Sequence, residues 1–267
     1  MEQKIQIEDV IINYEDHGEG DLPVIFIHGF PFDQTMWKPQ VDFLKSFMRI
    51  ITFDLRGYGR SGAGSMKPSI DLYAADLLRL MDALKIERAI VCGLSMGGYI
   101  LLNAINRFPE RFEAIILCDT HCIADTVEAR ERRYKTIELL NAGGLKDFTQ
   151  LFIKNIFCKE TLENKSGIAD PIKNVILSTR VETITGTLRA LAERKETCST
   201  LQRIAVPTLI LCGKEDVVAP PEQSEFFSTN IRQSTLHLID QAGHMANLEQ
   251  ADEFNRHLKD FIVPLLK

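Results

Sequence analysis

Hydrophobic and polar positions change rhythm several times along the chain. Residues 4–14 alternate polar and apolar, the period of two expected of antiparallel edge strands. Continuous apolar runs follow at 24–27, 50–53, 89–92, 114–118, 208–212 and 236–239. Apolar on both faces, such runs suit strands of a parallel sheet covered by helices on either side. Helical spacing lies between them. In 70–85 the apolar positions Tyr73, Leu77, Leu80 and Leu84 recur every three or four residues, with Ser69 placed to cap the start. Near the end, Phe254, Leu258, Phe261, Ile262 and Leu265 form one stripe, and Asn247 with Gln250 has the spacing of a capping box. Strands alternating with helices predict an α/β fold: a mostly parallel eight-stranded sheet flanked by helices.

Residues 121–203 break this alternation. They show no strand signal and predict helices over 125–141, 145–157 and 171–195. An all-helical excursion after the sixth strand predicts a cap over the C-terminal edge of the sheet, where open α/β sheets bind ligands. The expected organisation is a core from 1–120, a helical cap from 121–203 and the rest of the core from 204–267.

Bulk properties narrow the function classes. A chain of 267 residues buries a sizeable core without a disulfide or metal. The net charge of −6, with no dense Lys/Arg block, argues against nucleic acid and anionic membrane surfaces as partners. The apolar runs are too short to span a bilayer. No apolar leader follows Met1-Glu2-Gln3-Lys4, so a cytoplasmic location is the default expectation. Cys92, Cys118 and Cys212 sit inside apolar runs and are expected to be buried, reduced thiols, whereas Cys122, Cys158 and Cys198 carry no such signal.

Candidate chemistry centres on Gly93-Leu94-Ser95-Met96-Gly97-Gly98, a G-x-S-x-G pattern between the apolar run 89–92 and a helical segment at 99–107. That strand–turn–helix setting lifts a serine hydroxyl out of the sheet, and small neighbours make the sharp turn possible. A serine hydroxyl needs a base. Of the six histidines, His244 in Gly243-His244-Met245 follows the last strand and precedes the last helix, where it can reach such a serine. His121 is the competing position. Asp216, in the loop after 208–212, is the expected acid that orients the base, with Glu215 and Asp119 as open alternatives. Main-chain N–H groups of Phe30 and Met96 are the expected oxyanion hole. His28 is expected to be a structural loop residue, and a cis bond at Pro31 is a further expectation. Gly57-Tyr58-Gly59-Arg60-Ser61-Gly62 matches a dinucleotide fingerprint, but the loop runs on past Pro68, so no helix start abuts the glycines. With no Walker loop and no H-E-x-x-H, no cofactor and no metal is expected.

These motifs carry a family resemblance. His28-Gly29, the loop Asp54-Leu55-Arg56-Gly57-Tyr58-Gly59-Arg60-Ser61, the turn at Ser95, then Asp216 and Gly243-His244 occur in the order found in α/β-hydrolases, and the whole chain resembles them. Leu80-Met81-Asp82-Ala83-Leu84-Lys85-Ile86, leading into the Ser95 turn, is similar to 3-oxoadipate enol-lactonases and small-ester carboxylesterases. His28-Gly29-Phe30-Pro31 is also similar to epoxide hydrolases and haloalkane dehalogenases, which use an aspartate nucleophile where this chain has Ser95. The resemblance implies a serine hydrolase that cleaves a small ester or lactone through an acyl-enzyme. Its rivals are a slow-turnover ligand-binding protein, a carbon–carbon bond hydrolase and a cofactor-free perhydrolase. Trp37, Leu94, Phe152, Phe157 and Met245, with Phe30, are the residues expected to face the substrate.

Overall fold

The apolar runs assemble into one sheet in a computed structural model that describes residues 2–266. The strands are β1 (Glu2–Ile7), β2 (Val10–His17), β3 (Val24–Ile27), β4 (Ile50–Phe53), β5 (Ala89–Leu94), β6 (Phe112–Cys118), β7 (Thr208–Gly213) and β8 (Ser234–Ile239), in the order β1-β2-β4-β3-β5-β6-β7-β8. Every residue of β3, β4, β5 and β7 is buried, as central strands covered on both faces require. β3 to β8 run parallel, and β1 and β2 are antiparallel additions. Only β1 is an edge strand at this end. β2, also expected at the edge, pairs on its far side with β4 through Tyr14↔Phe53, which puts its buried side chains into the core.

Helices cover both faces. α1 (Lys38–Leu44), α2 (Ile70–Ala83) and α3 (Met96–Arg107) precede β6. The predicted Ser69 cap is formed, its hydroxyl accepting from Leu72 N–H at 3.0 Å. Between β6 and β7 the regular elements are all helices: α4 (Val127–Asn141), α5 (Leu145–Ile156), α6 (Lys159–Asn164), α7 (Ser166–Ser178) and α8 (Val181–Ala192). The single helix expected over 171–195 is in fact split. α7 already runs through Pro171, then stops where the hydroxyls of Ser178 and Thr179 both donate to the carbonyl of Val175, at 2.9 and 2.8 Å. Hydroxyls that bond back to the preceding turn compete with the helical ladder, and Thr179 and Arg180 are extended before α8 begins.

After β7 come α9 (Pro221–Asn230), α10 (Ala246–Glu249) and α11 (Ala251–Ile262). The capping box expected at Asn247 and Gln250 is not formed. Asn247 is buried, and its amide donates across the core to Met36 O at 3.0 Å and Gln40 Oε1 at 3.2 Å. The glycine-rich loop after β4 folds around buried Asp54, which accepts from the amides of Gln34 and Arg60 at 2.9 Å each. α2 starts only at Ile70, so the helix start a dinucleotide site needs is not at these glycines. The Phe30–Pro31 bond is cis. Among the described residues, no helix is long and apolar enough to cross a membrane.

Cys92, Cys118, Cys158 and Cys212 are free and buried, and Cys122 is disulfide-bonded to Cys198. The bond joins the chain just after β6 to the chain just before β7, across the neck of the helical segment. Stable disulfides are uncommon where cellular reductants act, so this bond sits least easily with the cytoplasmic expectation. The two cysteines are 76 residues apart. Closing a loop of that size in the unfolded chain predicts that reduction lowers stability by about 4 kcal/mol. Denaturant midpoints with and without reductant measure it, and an unchanged midpoint would show that the bond constrains nothing.

Candidate active site

Ser95 occupies the single position between β5 and α3. Its backbone is held at φ 53° and ψ −115°, a region that costs a side-chain-bearing residue about 1–3 kcal/mol. The surroundings enforce it. Ser95 N–H donates to Cys118 O at 2.9 Å, and Ser95 O accepts from Gly98 N at 2.8 Å and from Thr120 Oγ1 at 2.8 Å. A Cβ on Gly93 would stand 2.3 Å from Gly97 O, and one on Gly97 would stand 2.4 Å from Ile27 O. Both contacts are with backbone, so neither position admits a larger residue without moving the turn.

The loops after β7 and β8 are joined at the main chain: Lys214 N–H donates to Ile239 O and Glu215 N–H to Ala242 O, both at 2.9 Å. This brings Asp216 and His244 together. His244 Nδ1–H donates to Asp216 Oδ2 at 2.8 Å, and both residues are buried. The other oxygen, Oδ1, accepts from the amides of Val218 and Ala219 at 2.8 and 2.9 Å. Both oxygens of the carboxylate are engaged, Oδ1 twice and Oδ2 once, so the imidazole is presented in one orientation with Nε2 left over.

The competing residues are occupied elsewhere. Glu215 is exposed. Asp119 accepts from Gly213 N–H at 2.8 Å and lies within 4.8 Å of an Asp216 oxygen. Burial, and then the Asp216 charge, push its carboxyl well above the usual range. His121 is 2.8 Å from the Tyr99 hydroxyl through Nε2, and burial, then Arg194 and His244, push it down to about 3. His28 has both nitrogens engaged, Nδ1 with Gly29 O at 2.9 Å in its own loop and Nε2 accepting from Leu55 N–H at 3.0 Å in the loop after β4.

Ser95, Met96 and His244 open onto one cavity of about 330 Å³, lined also by Phe30, Tyr99 and Val218. The helical segment supplies most of the remaining wall, with Arg132, Arg133 and Thr136 from α4 and Phe148, Phe152 and Asn155 from α5. The rings of Phe30, Phe148 and Phe152 lie edge-to-face or tilted, 5.4–6.4 Å apart, and form an apolar wall beside Ser95. Met96 is the first residue of α3, so its N–H is one a helix leaves unpaired. Phe30 N–H donates to no acceptor among the described residues.

Of the residues expected to face substrate, Phe30 and Phe152 line the cavity. Trp37, Leu94, Phe157 and Met245 do not. Trp37 is wholly buried, 4.8 Å from Phe26 and 6.4 Å from Phe254 between ring centroids. Leu94 packs against Gly29, and Phe157 and Met245 are likewise taken up by the core. Apolar residues near the site in sequence are consumed by packing first.

What the sequence did not single out is the polar part of the wall. Asp125, a half-buried residue at the neck whose side chain is covered, is held by Arg133 through Nε at 2.5 Å and by Arg194 through Nη1 at 2.5 Å. Burial alone would raise its pKa, but the two guanidiniums more than reverse this and the net shift is downward. Two arginines on one carboxylate leave positive charge in excess behind the cavity. Arg132, exposed at its mouth, makes no close salt bridge among the described residues, and the nearby carboxylate that feels its charge is Glu128, one turn earlier on α4. Along the chain Arg132 and Arg133 fall within residues 128–133, a charge run that looks like a solvated helix face.

Residues 23–251 match the family model described as alpha/beta hydrolase fold. The chain is 30% identical to 3-oxoadipate enol-lactonase 2 of Acinetobacter baylyi, over 93% of its own length and 91% of that enzyme. Among solved structures it superimposes on a thermophilic esterase of Thermogutta terrifontis, determined with malate bound, with a TM-score of 0.95, 31% identity and full coverage of both chains. The enol-lactonase of Burkholderia xenovorans LB400 follows the same path, with a TM-score of 0.90 and 27% identity over 97% of this chain and 99% of that one.

Proposed function

The chain belongs to the α/β-hydrolase fold family, and from that premise we propose that it cleaves a small carboxylate-bearing ester or lactone through a covalent Ser95 acyl-enzyme. It is a hydrolase acting on ester bonds, like the relatives it matches over nearly its whole length. The observation that carries the serine mechanism is the cavity itself, onto which Ser95 and the Asp216-oriented His244 both open.

In the proposed reaction, Ser95 Oγ attacks the carbonyl while His244 Nε2 takes its proton. Asp216 stabilises the imidazolium and keeps its tautomer. The amides of Phe30 and Met96 receive the developing oxyanion, each worth about 3–4 kcal/mol in the transition state. His244 then protonates the leaving alkoxide. Water, activated by the same imidazole, attacks the acyl-enzyme and regenerates Ser95. The helical segment 121–203 acts as the cap that walls the substrate off, and no cofactor takes part.

Arg132 and Arg133 support the acidic substrate class. A guanidinium at the wall of a largely apolar cavity matches a carboxylate in charge and in hydrogen-bond geometry. The names of the relatives point the same way, one acting on an oxoadipate lactone and one holding malate. A p-nitrophenyl ester ending in a free carboxylate is expected to be hydrolysed with kcat/KM about tenfold above its neutral isostere, a ratio that Arg132→Gln reduces towards one. Equal turnover of the two esters by the unmodified protein would contradict the acidic substrate.

A further inference from the structure

Glu249 takes no part in that reaction, yet it is a carboxylate only 3% exposed, set directly behind the His244 loop. Its Oε1 accepts from Gly243 N–H at 2.7 Å, one residue before His244. Its Oε2 accepts from Cys158 N–H at 2.8 Å, in the turn between α5 and α6. One carboxylate thus holds two buried amides, one from the loop that carries the imidazole and one from the helical segment that walls the cavity.

The two backbones are in contact where it holds them. A Cβ on Gly243 would stand 2.8 Å from Cys158 N and 3.1 Å from Ile156 O, so the loop needs glycine to let the turn sit on it. Cys158 grips the loop a second time, its thiol donating to Gln241 O at 3.4 Å. The loop is in turn tied to the Asp216 loop through Glu215 N–H and Ala242 O. Asn155 and Ile156, which line the cavity, lie immediately before this turn.

We propose that Glu249 is a positioning residue: bridging Gly243 and Cys158, it fixes the height of the His244 imidazole relative to Ser95 and makes that height depend on the cap being seated. A neutral amide cannot replace it. Glutamine accepts at one atom only and presents N–H to the other backbone N–H, so Glu249→Gln leaves one end of the bridge repelled. The proposal rests on the reading of His244 as the base, and its test separates the two.

The test compares full-length wild type with Glu249→Gln and Glu249→Asp, all normalised to active sites counted with a fluorophosphonate. The far-downfield N–H proton of the His244–Asp216 bond, read by NMR, reports the imidazole whether or not any ester is turned over. Glu249→Gln is expected to lower kcat about a hundredfold, the scale of a small misplacement of a reacting group, with a much smaller change in KM. The downfield proton should shift or broaden while circular dichroism stays native. Glu249→Asp, which keeps the charge, should recover part of kcat and serves as the informative variant if the glutamine protein does not fold. Wild-type kcat per active site together with an unmoved downfield proton, in whichever variant folds, overturns the proposal. A wild-type protein that turns over no ester instead overturns the reading of the reaction and leaves the NMR comparison to decide the role of Glu249.

Discussion

Ser95→Ala is expected to lower kcat for any ester substrate by about a million-fold while leaving the fold intact. The size of the effect follows from the mechanism. Without Oγ there is no covalent intermediate, and what remains is the polarising effect of the Phe30 and Met96 amides on a carbonyl that water must attack unaided. The fold should tolerate the change because the turn is held by main-chain contacts, through Cys118 O, Gly98 N and the Thr120 hydroxyl. Alanine keeps the positive φ, so the strain stays and stability changes little. Steady-state kinetics alongside a thermal melt check both parts. A variant that retains a tenth of wild-type kcat would place the nucleophile elsewhere.

Asp216→Asn is expected to cost about ten-thousand-fold in kcat with the structure preserved. The side chain is anchored by the amides of Val218 and Ala219, which an asparagine oxygen still satisfies at Oδ1. The nitrogen then faces His244 Nδ1, and a donor opposite that atom favours the tautomer with its proton on Nε2, the wrong end for a base. Neither neighbouring acid is placed to compensate. Glu215 is exposed, and Asp119 is already engaged with Gly213 N–H and driven towards its neutral form by burial. Retention of more than a tenth of wild-type kcat, with no such loss in Asp119→Asn, would show that the imidazole is not oriented from Asp216.

The sheet was legible because its central strands are apolar on both faces. Residues 24–27 and 50–53 are strands over those same positions. The Ser95 turn was legible for a related reason: only glycines tolerate the approach of Gly93 to Gly97 O and of Gly97 to Ile27 O, and glycines are visible in a sequence. His244 and Asp216 could be singled out by lying in loops just beyond strand runs, and the structure hydrogen-bonds them to each other. Side chains whose surroundings are set by distant packing were not legible. Trp37 looked like a pocket residue until Phe26 and Phe254 claimed it. Asn247 looked like a helix cap until Met36 and Gln40 claimed it. The Cys122–Cys198 bond joins residues 76 apart, and Glu249 bridges amides 6 and 91 residues away. No local pattern announces either one. The charged wall of the cavity was hidden for the opposite reason, since a run of arginines and glutamates on a helix has the look of a surface.

The central claim is that the hydroxyl of Ser95 is made nucleophilic by His244. Treatment of the folded protein with a fluorophosphonate, followed by peptide mass spectrometry, tests it most directly. The account predicts one stoichiometric adduct, on Ser95, formed rapidly in the wild type and lost in His244→Ala. An unreacted Ser95, an adduct on another residue, or labelling at the same rate without the imidazole would contradict it.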